Sequence, residues 1–254
     1  MKPWLSLGGV VVLVALSNAV AHADDITLIA PGGIRAAFQE LIPEFEHTAG
    51  HKVVATYGSG GATRDRVVNG EAFDVPIVQP PYEKVLASGN VIPSSEALLA
   101  SVAVGLAVRA GAAKPNISSP EALKQALLGA HAIAYPDPAA GAGAGVSIAA
   151  TLEKLGIAEA LRSKFVPART GADAMARVAK GEVDIGLTFM SEMTTEPGIE
   201  LVGALPREVS PPTAFVAFVS SHAKEPEAAR ALVNFLSAPA AARIYRAHGM
   251  EPGR

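Results

Sequence analysis

The order strand, glycine turn, helix, met twice in quick succession near the start of the chain, restricts the fold more than any other feature. Ile26–Ala30 is a short apolar run, Pro31-Gly32-Gly33 breaks it, and helical spacing follows through Ile34, Phe38, Leu41, Ile42 and Phe45. Val53–Tyr57 then reads as a β-branched strand, Gly58–Gly61 as a turn, and Ala62–Asn69 as a helix. Consecutive βα units with short connections imply a parallel sheet with helices on its faces. Ligands of such sheets sit beyond the carboxyl ends of the strands, where the two glycine turns would lie side by side.

The second turn has the chemistry of an anion cradle. The first turn of a helix carries unpaired N–H groups and a positive dipole end, and glycine lets a ligand approach that backbone. Ser59 and Thr63 add hydroxyls, Arg64 and Arg66 add positive charge, and Gly60 and Gly61 leave the backbone open. The same composition also serves as a plain strand-to-helix turn. Two nucleotide motifs are excluded by spacing: GxGxxG fails at Thr63, and no Gly-Lys-Ser/Thr follows to make a P-loop.

Further along, Phe73–Val78 is a third strand ended by Pro80-Pro81, with a helix around Tyr82–Ser88. Ser101–Arg109 is a nearly continuous apolar strand, long enough to pass between two lobes, and a helix follows at Pro120–Leu128. The pattern then restarts with a strand at His131–Tyr135, a loop over Pro136–Gly145, helices at Val146–Leu155 and Gly171–Lys180, and a strand at Val183–Phe189. Thr213–Ser220, after Pro211-Pro212, is a second long strand able to bring the chain back, and helices at Pro226–Leu236 and Pro239–His248 close it. VVNGEAFDV at Val67–Val75 matches VAKGEVDIG at Val178–Gly186: each is a helix end, a capping glycine, a carboxylate and an apolar strand, as a duplication would leave.

Met1–Ala23 has the layout of a secretory signal: Lys2 as n-region, Leu5–Val20 as apolar h-region, and Ala21-His22-Ala23 as cleavage site. The expected mature protein is periplasmic and starts near Asp24. The chain has no cysteine, which removes disulfides, thiolate nucleophiles and Cys-ligated zinc. The histidines show no metal-ligand spacing, His131 is expected to pack against a neighbour, and no metal or other cofactor is expected. A formal net charge of −3 with interspersed signs gives no basic surface for nucleic acid.

ITLIAPGGIRAAFQELIPEFE, YGSGGATRDRVVNGEAFDVPIV, YPDPAAGAGAGVSIAATLEKLGI and RVAKGEVDIGLTFMSEM together resemble the periplasmic substrate-binding proteins of ABC transporters, most closely the molybdate-binding type. The resemblance runs from Ile26 to about His248. It implies an α/β, two-lobe periplasmic-binding-protein-like fold of type II: signal peptide 1–23, first lobe 24–102, second lobe 103–207, and the first lobe again from 208 to 254. It also implies two crossovers, a ligand between the lobes, closure by hinge motion, a monomeric state and an ABC-transporter permease as partner.

Molybdate binders of this type carry serine hydroxyls in the first two βα turns and a tyrosine ending the second lobe's motif. Here those places fall on Gly33, on Gly60 or Gly61, and on Phe189, so molybdate loses hydrogen bonds worth about 1–3 kcal/mol each. Arg35, Arg64 and Arg169, each near a helix start or loop, suit a carboxylate ligand better, and Ser147 is a helix-start hydroxyl. The superfamily also contains aconitate isomerases, so binder and periplasmic isomerase both remain as readings. Asp137, Glu192 or a histidine are alternative bases for the second, and no catalytic residue is assigned.

Overall fold

The computed structural model describes residues 25–193 and 196–253; the signal peptide expected over 1–23 lies outside them. In chain order the elements are β1 (Ile26–Pro31), α1 (Arg35–Ala49), β2 (Val53–Gly58), α2 (Gly60–Val68), β3 (Val75–Val78), α3 (Glu83–Ala87), β4 (Ala97–Val102), β5 (Val104–Arg109) and α4 (Pro120–Gly129). Then come β6 (Ile133–Pro136), α5 (Gly143–Lys154), α6 (Ala158–Leu161), β7 (Phe165–Ala168), α7 (Gly171–Lys180) and β8 (Ile185–Phe189). The chain closes with β9 (Ile199–Ala204), β10 (Thr213–Ala217), α8 (Pro226–Ser237), α9 (Ala242–Ala247) and β11 (Met250–Pro252).

Two mixed sheets with helices on their faces make two lobes. The first has the order β11-β4-β10-β3-β1-β2 and the second β7-β6-β8-β5-β9. Each contains a parallel kernel in which β1 lies between β2 and β3, or β6 between β7 and β8. The crossover strands β10 and β5 pair antiparallel to β3 and β8. The run Ser101–Arg109, expected as one strand, breaks at Ala103: β4 ends in the first sheet and β5 starts in the second. The return passes through residues 205–212, before β10 begins.

The matching kernels are tied by matching joints. Gly70 and Gly181 close their helices with φ of 76° and 74°, where a side chain is strained. Four residues after Gly70, Asp74 accepts from Thr27 N at 2.7 Å and Thr27 Oγ1 at 2.6 Å. Asp184 accepts from His131 N at 2.5 Å, and this backbone donor is the first cause holding its carboxyl below the ordinary value. His131 was expected to pack; its side chain is instead 96% exposed, lying on the surface with Nδ1 3.2 Å from Asp184 Oδ2.

The core is continuous through both lobes, with Phe38, Phe215 and Tyr245 among its largest sealed side chains. The strands that sequence periodicity did not show, β7, β9 and β11, are all edge strands, two of them carrying proline at Pro167 and Pro252. No helix among the described residues is long and apolar enough to cross a membrane.

Candidate functional site

Four helix starts face one another between the lobes. From the first lobe come the Gly32–Ile34 turn leading into α1 and the start of α2; from the second come the starts of α5 and α7. Ser59 and Thr170 hold equivalent N-cap positions, accepting from Ala62 N at 3.2 Å and Asp173 N at 3.1 Å. Their hydroxyls therefore fix the helix starts, whose first-turn residues line the space between. That space is a cleft of about 620 Å³.

Of the sequence-derived candidates, Gly33, Arg35, Ser59, Gly60, Arg169 and Phe189 line this cleft. Gly61 stands beside it, and its N–H donates across the lobes to Gly141 O at 3.1 Å. Thr63 is fully buried with its hydroxyl unpartnered. Arg64 and Ser147 line a separate, adjoining cleft, and Asp137 is occupied as a turn cap for Ala139 N at 2.9 Å. Sequence reasoning missed Tyr57, Gln39 and Gln79, which also line the main cleft.

The lobes are closed on one another. Besides the Gly61–Gly141 bond, buried Ser191 donates from Oγ to Gly33 O at 2.7 Å. Gly33 is confined: a methyl group there would stand 3.1 Å from Phe189 Cδ2 and 3.2 Å from Phe215 Cζ. The two rings meet edge to face at 6.5 Å across the lobe boundary, so Phe189 fills the place that a side chain at 33 would need.

The charges of the cleft are Arg35, Arg169 and Glu192. Arg35 lies over the Tyr57 ring at 4.5 Å, which orients its guanidinium without neutralising it. Among the described residues neither Arg35 nor Arg169 has a carboxylate partner, and both are exposed toward solvent. Glu192 is partly enclosed against α7, where glycine is required: a methyl on Gly171 would run into Glu192 and Thr188 Oγ1. No group of three or more His, Cys, Asp or Glu side chains arranged to hold a metal occurs among the described residues.

Burial raises the Glu192 pKa, against the opposing hydrogen bonds from Thr188 Oγ1, at 2.5 Å, and the Phe189 backbone. The folded chain thus keeps this proton where the unfolded chain releases it, so the group's contribution to stability falls as pH rises from the ordinary carboxyl value toward the folded one. Glu192→Gln is expected to raise stability at neutral pH and to lose that advantage below about pH 4. Calorimetric unfolding at both pH values checks it; an advantage that grows toward acid would contradict the assignment.

The family profile described as bacterial extracellular solute-binding protein matches residues 26–251. This chain belongs to that family. Among its relatives, an aconitate isomerase from a Pseudomonas species is 31% identical over 98% of this chain and 96% of its own length. The molybdate-binding protein ModA of Azotobacter vinelandii is 28% identical, with 92% of each chain covered. The solved periplasmic molybdate-binding protein of Azotobacter vinelandii superposes with a TM-score of 0.74 at 22% identity, covering 91% of this chain and all of that one, which supports the two-lobe fold.

Proposed function

We propose that this solute-binding protein captures a small organic polyanion, a di- or tricarboxylate, between its lobes and presents it to an ABC-transporter permease, after export and cleavage behind Ala23. The observation that carries the reading is the pair of guanidiniums without carboxylate partners, Arg35 from the first lobe and Arg169 from the second, over a glycine-walled cleft. Its 620 Å³ falls in the range of about 300–1,000 Å³ typical of organic-ligand pockets. Two forks on opposite lobes suit two separate carboxylates, each bound bidentately, better than one tetrahedral centre. An anion that joins them also favours closure, because it has both partners only when the lobes meet.

Arg35→Ala and Arg169→Ala are each expected to weaken citrate binding about tenfold to a hundredfold, the value of one charge-assisted contact. Titration calorimetry reads this directly. Unchanged affinity in both variants would remove the arginines from the site.

A second reading, isomerisation of a bound tricarboxylate, is favoured by Glu192 and by the similarity to an aconitate isomerase. A carboxyl with a raised pKa is better matched to moving a proton on carbon than an ordinary one. In this reading Glu192, once ionised, takes a methylene proton beside a carboxylate of the substrate. The charge spreads over the allylic system under Arg35 and Arg169, and the proton returns at the other end as the double bond shifts. Incubation with cis-aconitate in deuterated water, followed by NMR, separates the two: trans-aconitate carrying deuterium indicates the isomerase, and binding without turnover indicates the receptor.

A further inference from the structure

A second cleft of about 370 Å³ lies on the hinge side of Gln79. Arg64 and Gln79 of the first lobe, Ser147 and Lys154 of the second, Ser210 of the returning connection and Thr213 at the start of β10 contribute to its walls. Among the described residues, two cations and no carboxylate line it. Arg64 is fixed rather than neutralised: its Nη1 donates to the carbonyls of Gln79 at 3.2 Å and Pro80 at 3.4 Å, and it makes no ion pair among the described residues. Ser147 and Thr213 hydroxyls meet at 3.0 Å, tying the second lobe to the crossover at this point.

The polar groups around it are incompletely satisfied. Ser210 is 2% exposed and its Oγ has no partner. Gln79 is also 2% exposed, and neither atom of its amide has a partner. The amide lies against Gly60 and Gly143, and a methyl on either would displace it from this place. Buried polar groups left this way cost about 1–3 kcal/mol each, and a ligand whose oxygens accept from Ser210 Oγ and Gln79 Nε2 lowers that cost.

We propose that this hinge-side cleft is a second anion site, which takes one small dianion whose oxygens accept hydrogen bonds, phosphate or a dicarboxylate. Its walls come from both lobes and the crossover, so opening the lobes takes the site apart and the bound anion acts as a strut for the closed form. The proposal does not depend on what the main cleft binds.

The test is calorimetry with inorganic phosphate and with malonate on the Arg35→Ala/Arg169→Ala protein, so that anions drawn to the main cleft are suppressed. One binding event is expected with at least one of the two probes, and which probe gives it distinguishes a phosphate from a carboxylate source. Adding Lys154→Gln or Arg64→Gln should weaken that event at least about tenfold. Arg64→Gln also removes the carbonyl contacts, so exposed Lys154→Gln, checked for an unchanged circular dichroism spectrum, is read on its own. The site is refuted if neither probe binds, or if binding persists unchanged with both substitutions in place.

Discussion

Gly145→Ala is expected to lower stability by about 3 kcal/mol or more, at or beyond the upper end of ordinary overpacking costs. Gly145 is buried in the first turn of α5, packed on the connection that leaves β6. An added methyl group would collide with the Pro136 carbonyl oxygen and stand 3.0 Å from both Pro136 C and Pro138 N. These are backbone atoms that no rotamer change can move, so the helix itself must lift. Because Gly143 and Ala144 of the same turn line the main cleft, ligand affinity should fall together with stability. Gly129→Ala is the control. A methyl there meets nothing within 4 Å, and the change should be neutral or stabilising by about 0.5–1 kcal/mol. Urea denaturation of both variants decides the matter, and equal midpoints would contradict the packing account.

Asp74→Ala is expected to cost about 3–4 kcal/mol, whereas Asp184→Ala, at the equivalent joint, should cost about 1 kcal/mol. Asp74 is 2% exposed and accepts three bonds, from Thr27 N, Thr27 Oγ1 and Lys224 N, the last at 2.7 Å. It therefore links β1, β3 and the segment before α8, and its removal takes the partner from three donors at once at a buried joint. Asp184 is 49% exposed in its side chain, so water replaces its carboxylate at the His131 backbone. Equal costs for the two would mean that burial does not set the value of the joint.

The repeated kernel was legible because its signals are local. A capping glycine, a carboxylate and an apolar strand recur in VVNGEAFDV and VAKGEVDIG, and the three-strand kernels they end have the same spatial order. Edge strands were not legible, since Pro167 and Pro252 read as breaks and one-sided burial weakens the apolar pattern. The glycine turns and Arg35, Arg169 and Phe189 could be placed at strand ends and helix starts, where the fold class puts ligands. Arg64 could not be assigned to one of two adjoining clefts from spacing alone. That depends on which way the first turn of α2 faces once the lobes close. Gln79 was missed because a glutamine before Pro80-Pro81 reads as the polar start of a turn, yet it is drawn inward between Gly60 and Gly143. The available signal was its position at the carboxyl end of the buried strand β3.

The central claim, that the interlobe cleft is built for an organic polyanion, is tested most directly by parallel titration calorimetry of the mature chain with citrate, trans-aconitate and molybdate. The predicted result is single-site binding of a tricarboxylate, with molybdate weaker by about a hundredfold or more for want of hydroxyls at Gly33, Gly60 and Phe189. Tight molybdate binding together with no heat from either tricarboxylate would contradict it.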